Sequence, residues 1–447
     1  MLSLLDTLAG IVGPAHCLAG ADRGPFVVEG RTPSVVVFPG TVDEASHVVA
    51  AAGAAGVPVI PWGGGTQMGL GAPPRDGAVV VATRRLARVV EHEPADLTAT
   101  VEAGITLDAL QAALGAPGQW LSLDPPLPGR ATLGGALATN ASGPRRYLYG
   151  TARDLVIGLR VVGADGALVR SGGKVVKNVA GYDLNKLYIG SLGTLGLIVE
   201  VTVKLRPRPE ADRACWATFG DVPAAAAAVR EVMASDLLPH SIELLDAGAT
   251  AASAHATGLA ADGAGAALVL GFDGLPTTVT WQLGAAERLL RGAGATRVAV
   301  LGDATAARAL AVVRDMPVTA PEPLALARVG VLPAQVGRYT QEAAAAVREA
   351  GLGLLAAAHA GSGIVRLALT AGGEGRGLPT TVKTLARLRA EARILGGHFL
   401  VEWAPLAVKE EIAVWDPPGP AVRLMERIKA QLDPKGILNP GRFVGGI

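Results

Sequence analysis

Three successive glycines at the end of a β-branched run constrain this chain more than any other feature. Val57-Pro-Val-Ile-Pro61 reads as a strand, and Trp62-Gly-Gly-Gly-Thr-Gln67 follows it at once. Without Cβ atoms, consecutive residues reach backbone conformations barred to other side chains, and successive N–H groups can point into one concavity. Such a nest takes an anion, typically a phosphate. Thr66 and Gln67 add side-chain hydrogen-bonding groups. The plain alternative is a flexible hairpin. A dinucleotide-binding βαβ unit is excluded on two counts: the glycine spacing is wrong, and Gly71-Ala-Pro-Pro74 bars the helix that would have to follow.

Around this loop, from about 34 to 208, the chain alternates short apolar runs with Gly-rich connections. Strands are expected near 35–38, 57–61, 78–82, 86–90, 98–101, 155–162 and 197–205, and helices over 43–55, capped by Thr41, and 106–114. Arg206-Pro-Arg-Pro-Glu210 closes the region, because two prolines and a run of charge end the last strand. Beyond it, strands near 216–219, 268–272 and 324–331 alternate with Ala-rich helices over 223–233, 280–290 and 336–349. This pattern predicts an α+β domain with helices on one side of a sheet. A helix over 421–432 precedes a string of turns, Asp433-Pro-Lys-Gly-Ile-Leu-Asn-Pro-Gly-Arg442.

With 447 residues, half of them hydrophobic and 18% charged, the chain is long enough for two or three domains with large cores. Aromatics make up only 4%, so Ala, Val and Leu must fill those cores. A net charge of +1 argues against nucleic acid as a partner. The basic groups at 145–146, 174–177 and 206–208 read first as solvated loops. Two cysteines, Cys17 and Cys215, cannot build a disulfide framework, a zinc site or an iron–sulfur cluster. Low cysteine use fits the cytoplasm. No secretory signal is expected, because no early Lys or Arg precedes the first apolar residues, and no apolar run is long enough to span a membrane.

Two further segments carry ligand-binding character. One is Leu123-Asp-Pro-Pro-Leu127 followed by Ala131-Thr-Leu-Gly-Gly-Ala-Leu-Ala-Thr-Asn-Ala-Ser-Gly143. Here Gly134 and Gly135 permit close backbone approach, and Asn140 and Ser142 offer polar contacts. The other is Lys177-Asn-Val-Ala-Gly-Tyr-Asp183 with Gly190-Ser-Leu-Gly-Thr-Leu-Gly-Leu-Ile198, where Ile198 offers backbone groups to a ring. Each segment is an ordinary set of turns when taken alone.

Taken together, in this order and spacing, they resemble the FAD-binding domain of the vanillyl-alcohol oxidase superfamily (PCMH-type). Within it, the likeness is to the FAD-binding subunit of bacterial glycolate oxidase. The Lys-Asn-Val-Ala-Gly-Tyr-Asp run, Gly-Ser-Leu-Gly-Thr-Leu-Gly and the 433–442 tail carry the likeness; it is strong over 30–208, returns near 396–443 and is thin between. The resemblance implies an α+β protein: a two-subdomain PCMH-type FAD-binding domain, then an α+β cap domain with a ferredoxin-like sheet plus helices. The expected division is an N-terminal segment 1–30, an FAD domain 31–208, a cap 209–420, and a helix and tail 421–447 that return to the FAD domain. Pro61, Gly63, Gly64, Gly65, Thr66 and Gln67 would hold the phosphates. Pro125, Thr132, Gly134, Gly135, Asn140, Ser142, Tyr182 and Ile198 would contact flavin or adenine. Some superfamily members tether the flavin through a His or Cys in the first loop; this loop has neither, so the FAD is expected to be noncovalent.

For chemistry, the second half offers His359-Ala-Gly-Ser-Gly-Ile-Val-Arg366 and Gly396-Gly-His-Phe-Leu-Val-Glu402. The related D-2-hydroxyacid dehydrogenases carry a second His where Arg366 stands, and a His after the Glu where Trp403 stands. One His and one Glu make a poor metal site, so no metal is expected. His398 and His359 are the candidate bases. Arg328, inside an apolar strand, and Arg366 are the candidate carboxylate binders, because a guanidinium fork matches a carboxylate. Ordinary structural roles compete for all four.

Three functions follow from the resemblance. The first is oxidation of a small 2-hydroxy acid to a 2-keto acid, with electrons passing to the flavin and then to a partner. The second is an electron-relaying or non-catalytic flavin subunit beside a sister flavoprotein and an iron–sulfur subunit. The third is a structural FAD-binding subunit without turnover. The implied address is cytoplasmic, with peripheral contact at the inner face of a membrane left open.

Overall fold

The computed structural model describes residues 3–174, 182–261, 263–372 and 377–447. The chain divides into two compact units. The first comprises Met1–Ser142, Thr151–Arg208 and Pro417–Ile447, and the second Gly143–Gly150 and Pro209–Asp416.

In the first unit, β1 (Cys17–Leu18), β2 (Val35–Val37), β3 (Val59–Trp62) and β4 (Val79–Ala82) form a sheet in the order β1-β2-β4-β3. The β2–β4 and β3–β4 pairs are parallel. All three residues of β2 and all four of β4 are buried, the continuous apolar run that a parallel sheet covered on its faces demands. The helix Val42–Ala54 begins where expected, with Thr41 accepting from the Glu44 N–H, and buries Val48, Val49 and Ala52 on that sheet.

A second sheet is antiparallel, built from β5 (Val89–Glu93), β6 (Thr98–Glu102), β8 (Val156–Val162), β9 (Leu168–Gly172) and β10 (Leu197–Lys204) in the order β5-β6-β10-β8-β9. Between them in sequence lies β7 (Gln119–Trp120), which pairs with β11 (Arg206–Pro207). Val162, Leu197 and Val199 of the second sheet share a core with β2, β4, Ile437 and Leu438, so the tail is packed into the first unit.

The second unit is one eight-stranded antiparallel sheet. It comprises β12 (Ala211–Phe219), β13 (Ser241–Asp246), β14 (Ala266–Gly274), β15 (Arg297–Leu301), β16 (Pro323–Gly330), β17 (Gly353–His359), β18 (Ile364–Thr370) and β19 (His398–Trp403). Their order is β15-β12-β14-β13-β17-β18-β16-β19. Helices Val222–Met233, Pro276–Gly292, Val336–Glu349 and Leu378–Ile394 bury one face.

The expectation of helices on one side only is corrected. Ala247–Thr257 and Asp303–Thr319 cover the other face over β12, β13, β14, β17 and part of β18. The sequence hides this, because Trp216, Val269 and Leu245 point opposite to their apolar neighbours and alternation is lost in strands buried twice. Gly143–Gly150 also differs from the expected division. Arg145 pairs with Asp212 and, at 2.9 Å, with Asp273, and the Tyr149 hydroxyl donates to Asp273 at 2.7 Å. These contacts set the segment in the second unit.

Candidate functional site

The loop after β3 opens a cleft in the first unit lined by residues 61–68, Leu70, Thr83, Thr132, Gly134, Gly135, Ala138, Thr139, Leu192, Gly193, residues 196–198, Asn439 and Arg442. The backbone N–H groups of Gly63, Gly64, Gly65, Thr66 and Gln67 donate to no acceptor among the described residues. Five successive open donors beside a cleft are what an anion such as a pyrophosphate requires.

The glycines serve the loop by letting it pack. A Cβ on Gly64 would overlap the carbonyl oxygen of Arg130, and one on Gly63 would overlap Thr132 Oγ1. Gly65 has φ +72°, the left-handed region, with the Trp62 ring against it. A side chain at Gly64 therefore strikes the neighbouring backbone and does not fill the nest.

The second segment also works differently from expectation. Thr132 caps a helix, Leu133–Thr139, whose first N–H groups are already spent on Ile105 O (2.9 Å), Ala103 O (2.7 Å) and Thr132 Oγ1 (3.2 Å). Gly134 permits that close approach, since its Cβ would lie 2.7 Å from the Ala103 Cβ. On β10, pairing with β6 begins only at Glu200, so Leu197 and Ile198 stand beyond that ladder, at the cleft.

Two tail residues complete the lining, and sequence reasoning gave them no role. The buried Arg442 guanidinium donates to the carbonyls of Met68 (2.6 Å), Leu70 (2.7 Å) and Ala72 (2.8 Å), clamping the far side of the glycine loop. Burial pushes Arg442 down to about 10. Asn439 donates from Nδ2 to Leu192 O at 2.6 Å, and its buried Oδ1 has no partner among the described residues. Asn439 lines the cleft, and a buried acceptor without a partner on such a residue is one that a ligand donor could satisfy.

The second unit carries a different site. Arg328 on β16 and Arg366 on β18 are direct cross-strand partners. Like charges opposite each other repel unless something sits between them. Glu402 does: one carboxylate oxygen lies 3.4 Å from Arg328 Nε and the other 3.4 Å from Arg366 Nη2. Glu402 occupies an irregularity in the β16–β19 register, where Leu326 pairs with Trp403 and Ala327 with Val401. Burial alone would raise its carboxyl, but the guanidinium of Arg366, then that of Arg328, holds it below the ordinary range.

His359, at the end of β17, adds to this face. Its Nδ1 lies 2.8 Å and 3.0 Å from the two carboxylate oxygens of Glu243, and its buried Nε2 has no partner among the described residues. It pairs with Ile364, two residues along β18 from Arg366, which sets it on the face that carries the two arginines and Glu402. Asp212, His240 and Asp273 form a metal-like cluster, but Arg145 pairs with both of its carboxylates.

Comparison with known proteins gives this geometry its family. The profile of the FAD binding domain matches residues 33–172, and that of FAD linked oxidases, C-terminal domain, matches 208–443. The chain belongs to the FAD-linked oxidases. Its cofactor is FAD, and it is an FAD-dependent oxidoreductase. D-lactate dehydrogenase of Archaeoglobus fulgidus is 32% identical over 99% of both chains. Glycolate oxidase subunit GlcD of Bacillus subtilis is 39% identical over 48% of this chain and 46% of its own length, so that match spans less than half of GlcD. The structure of p-cresol methylhydroxylase with substrate bound shares the fold, with a TM-score of 0.78 over 98% of this chain and 96% of that one at 18% identity.

Of the residues expected to hold FAD in this family member, Pro61, Gly63, Gly64, Gly65, Thr66, Gln67, Thr132, Gly134, Gly135 and Ile198 line one cleft. Pro125, Asn140 and Ser142 do not line it. Asn140 is the left-handed C-cap of the 133–139 helix. Tyr182 is 94% exposed and also stands outside the lining. The rest of its motif, 175–181, lies outside the described residues.

Among the candidate catalytic residues, Arg328, Arg366 and His359 share one face with Glu402, whereas His398 is exposed. His398 pairs with Gly330, Gly330 with Ile364, and Ile364 with His359, which puts three strand spacings, about 14 Å, between the two histidines. Trp403 packs with Leu326 and Ala368, filling apolar space. No helix among the described residues is long and apolar enough to cross a membrane.

Proposed function

We propose that this chain oxidises a small 2-hydroxy acid to the 2-keto acid, with His359 as the base and Arg328 and Arg366 as the carboxylate site. The supporting observation is the pairing of surplus positive charge with an open base on one face. Two guanidiniums meet one carboxylate at Glu402, which leaves a unit of positive charge for a second carboxylate. Near it, His359 Nε2 is buried and has no partner among the described residues. Such an atom is a strained element of a structure but a natural acceptor for a substrate hydroxyl proton.

Three relatives named glycolate oxidase subunit, D-lactate dehydrogenase and D-2-hydroxyglutarate dehydrogenase share that substrate chemistry. The open N–H groups of residues 63–67 would hold the pyrophosphate. Asn439 Oδ1 would accept from the cofactor. Bound FAD supplies the acceptor for the hydride that leaves the substrate carbon. Among the described residues, the lining of the cleft contains no His or Cys, which supports noncovalent attachment.

The decisive experiment is anaerobic mixing of the yellow protein with glycolate, D-lactate and D-2-hydroxyglutarate while the flavin absorbance is followed. Bleaching by one of them, lost in His359→Asn, is the expected result; no bleaching by any would overturn the reading. Heat or acid should release intact FAD to the supernatant, and flavin that stays with the precipitate would exclude the noncovalent assignment.

With only two cysteines, the chain cannot form an iron–sulfur cluster of its own. We therefore assign onward electron transfer to partner chains, an iron–sulfur subunit and a sister flavoprotein. Their copurification from the native cell tests this.

A further inference from the structure

We propose that Glu243 is a positioning residue that fixes the tautomer of His359, so that Nδ1 carries the proton and Nε2 is presented bare as a proton acceptor. The proposal deepens the reading of His359 as the base and rests on it for its catalytic consequence.

Glu243 stands on β13 and His359 on β17, as direct cross-strand partners. Glu243 is fully buried and His359 is 4% exposed, so the pair is shielded from bulk solvent. The imidazole Nδ1 faces both carboxylate oxygens, at 2.8 Å and 3.0 Å. An ionised carboxylate only accepts hydrogen bonds, so the proton between the pair sits on Nδ1. A neutral ring has one N–H, and Nε2 is then left with its lone pair. That is the nitrogen without a partner among the described residues.

The pairing does more than orient the ring. Receiving a substrate proton turns His359 into an imidazolium, and the buried carboxylate of Glu243 stabilises that charge. The sheet locks the arrangement from behind: Ile242, Leu244 and Ala358, the neighbours of the pair along their strands, point into the main core of the unit.

The test is the imidazole nitrogen spectrum of protein labelled with 15N-histidine, the His359 signals being assigned by their loss in His359→Gln. In the wild type, His359 should show protonated Nδ1 and bare Nε2. Glu243→Gln, whose amide can donate as well as accept, should shift the ring toward the Nε2–H tautomer. Finding Nε2–H in the wild type, or unchanged signals in Glu243→Gln, would overturn the proposal, and the wild-type measurement stands even if the variant folds poorly.

Flavin bleaching by the active 2-hydroxy acid separates this proposal from the reading beneath it. Glu243→Gln should lower the limiting bleaching rate about 10²–10⁴-fold, as wrong-tautomer enzymes do, with half-saturation changed less than threefold. A shift of tautomer with an unchanged bleaching rate would remove the catalytic role. No bleaching in the wild type with the expected tautomer present would instead sink the 2-hydroxy acid reading and leave the pairing intact.

Discussion

The two units of this protein build their sites from opposite materials. In the first, the open groups are main-chain N–H donors, and the residues that matter are glycines whose missing side chains let the loop seat against residues 130–132. In the second, the open groups are side-chain atoms: the surplus charge of Arg328 and Arg366, and Nε2 of His359. A main-chain site is lost when something is added. A side-chain site is lost when something is removed. Substitutions in the two units should therefore separate cofactor binding from chemistry.

The largest expected effect is removal of the base. His359→Asn keeps an amide that can donate to Glu243 but has nothing in place of Nε2. Flavin content should stay at wild-type level while the bleaching rate falls about 10²–10⁴-fold, the usual worth of general base catalysis. Loss of flavin in parallel with activity would show that the two sites are not separable and would break the comparison.

The converse change adds a methyl group to the first unit. Gly64→Ala places a Cβ against the Arg130 carbonyl, which is main chain and cannot step aside without moving the turn behind it. Overpacking of this kind costs about 1–3 kcal/mol, or roughly 5- to 150-fold in FAD affinity if the bound loop bears the strain. Titration of flavin-free protein, followed by quenching of flavin fluorescence, measures it. The histidine nitrogen signals of the second unit should not change. Wild-type affinity in Gly64→Ala would remove the loop from the cofactor site.

These contrasts also account for what could be read from the sequence. Residues 61–67 announced themselves because backbone recognition needs contiguous residues of one type, which leaves a local pattern. The tail clamp left no such signal. Arg442 reaches carbonyls some 370 residues earlier in the chain, and only the string of turns hinted at a special role. Glu243 and His359 lie 116 residues apart and meet through strand pairing that composition does not encode. An imidazole suits the role of base wherever it stands in the chain, so residue type alone admits His398 beside His359; only the strand pairing shows His398 exposed and about 14 Å from His359. Helix positions fared better, since capping and period are local: Thr41 and Thr106 each cap the helix expected after them.

The smallest effect tests the charge balance on which the second site depends. Glu402→Gln leaves Arg328 and Arg366 facing an amide. Breaking one partner of a buried pair costs 3–5 kcal/mol, but Arg328 is partly solvated, so about 2 kcal/mol is expected at pH 7. The sign of its pH dependence follows from the depressed carboxyl. Glu402 in the folded protein releases its proton more readily than an ordinary Glu near 4.5, so the ionised form is favoured by folding. Its contribution is complete above about pH 4.5, the value of the unfolded chain, and is lost as pH falls through the lower folded value. Urea unfolding of wild type and Glu402→Gln should therefore show a constant gap from pH 8 to about pH 5 and a narrowing gap below 4.5. Gly64→Ala, which alters no ionisable group, should show a gap independent of pH over the same range. A Glu402→Gln gap that widens on acidification would mean that the carboxyl is held protonated. Two uncompensated guanidiniums would then face each other across β16 and β18, and the single positive charge assigned to the substrate carboxylate would have to be counted again.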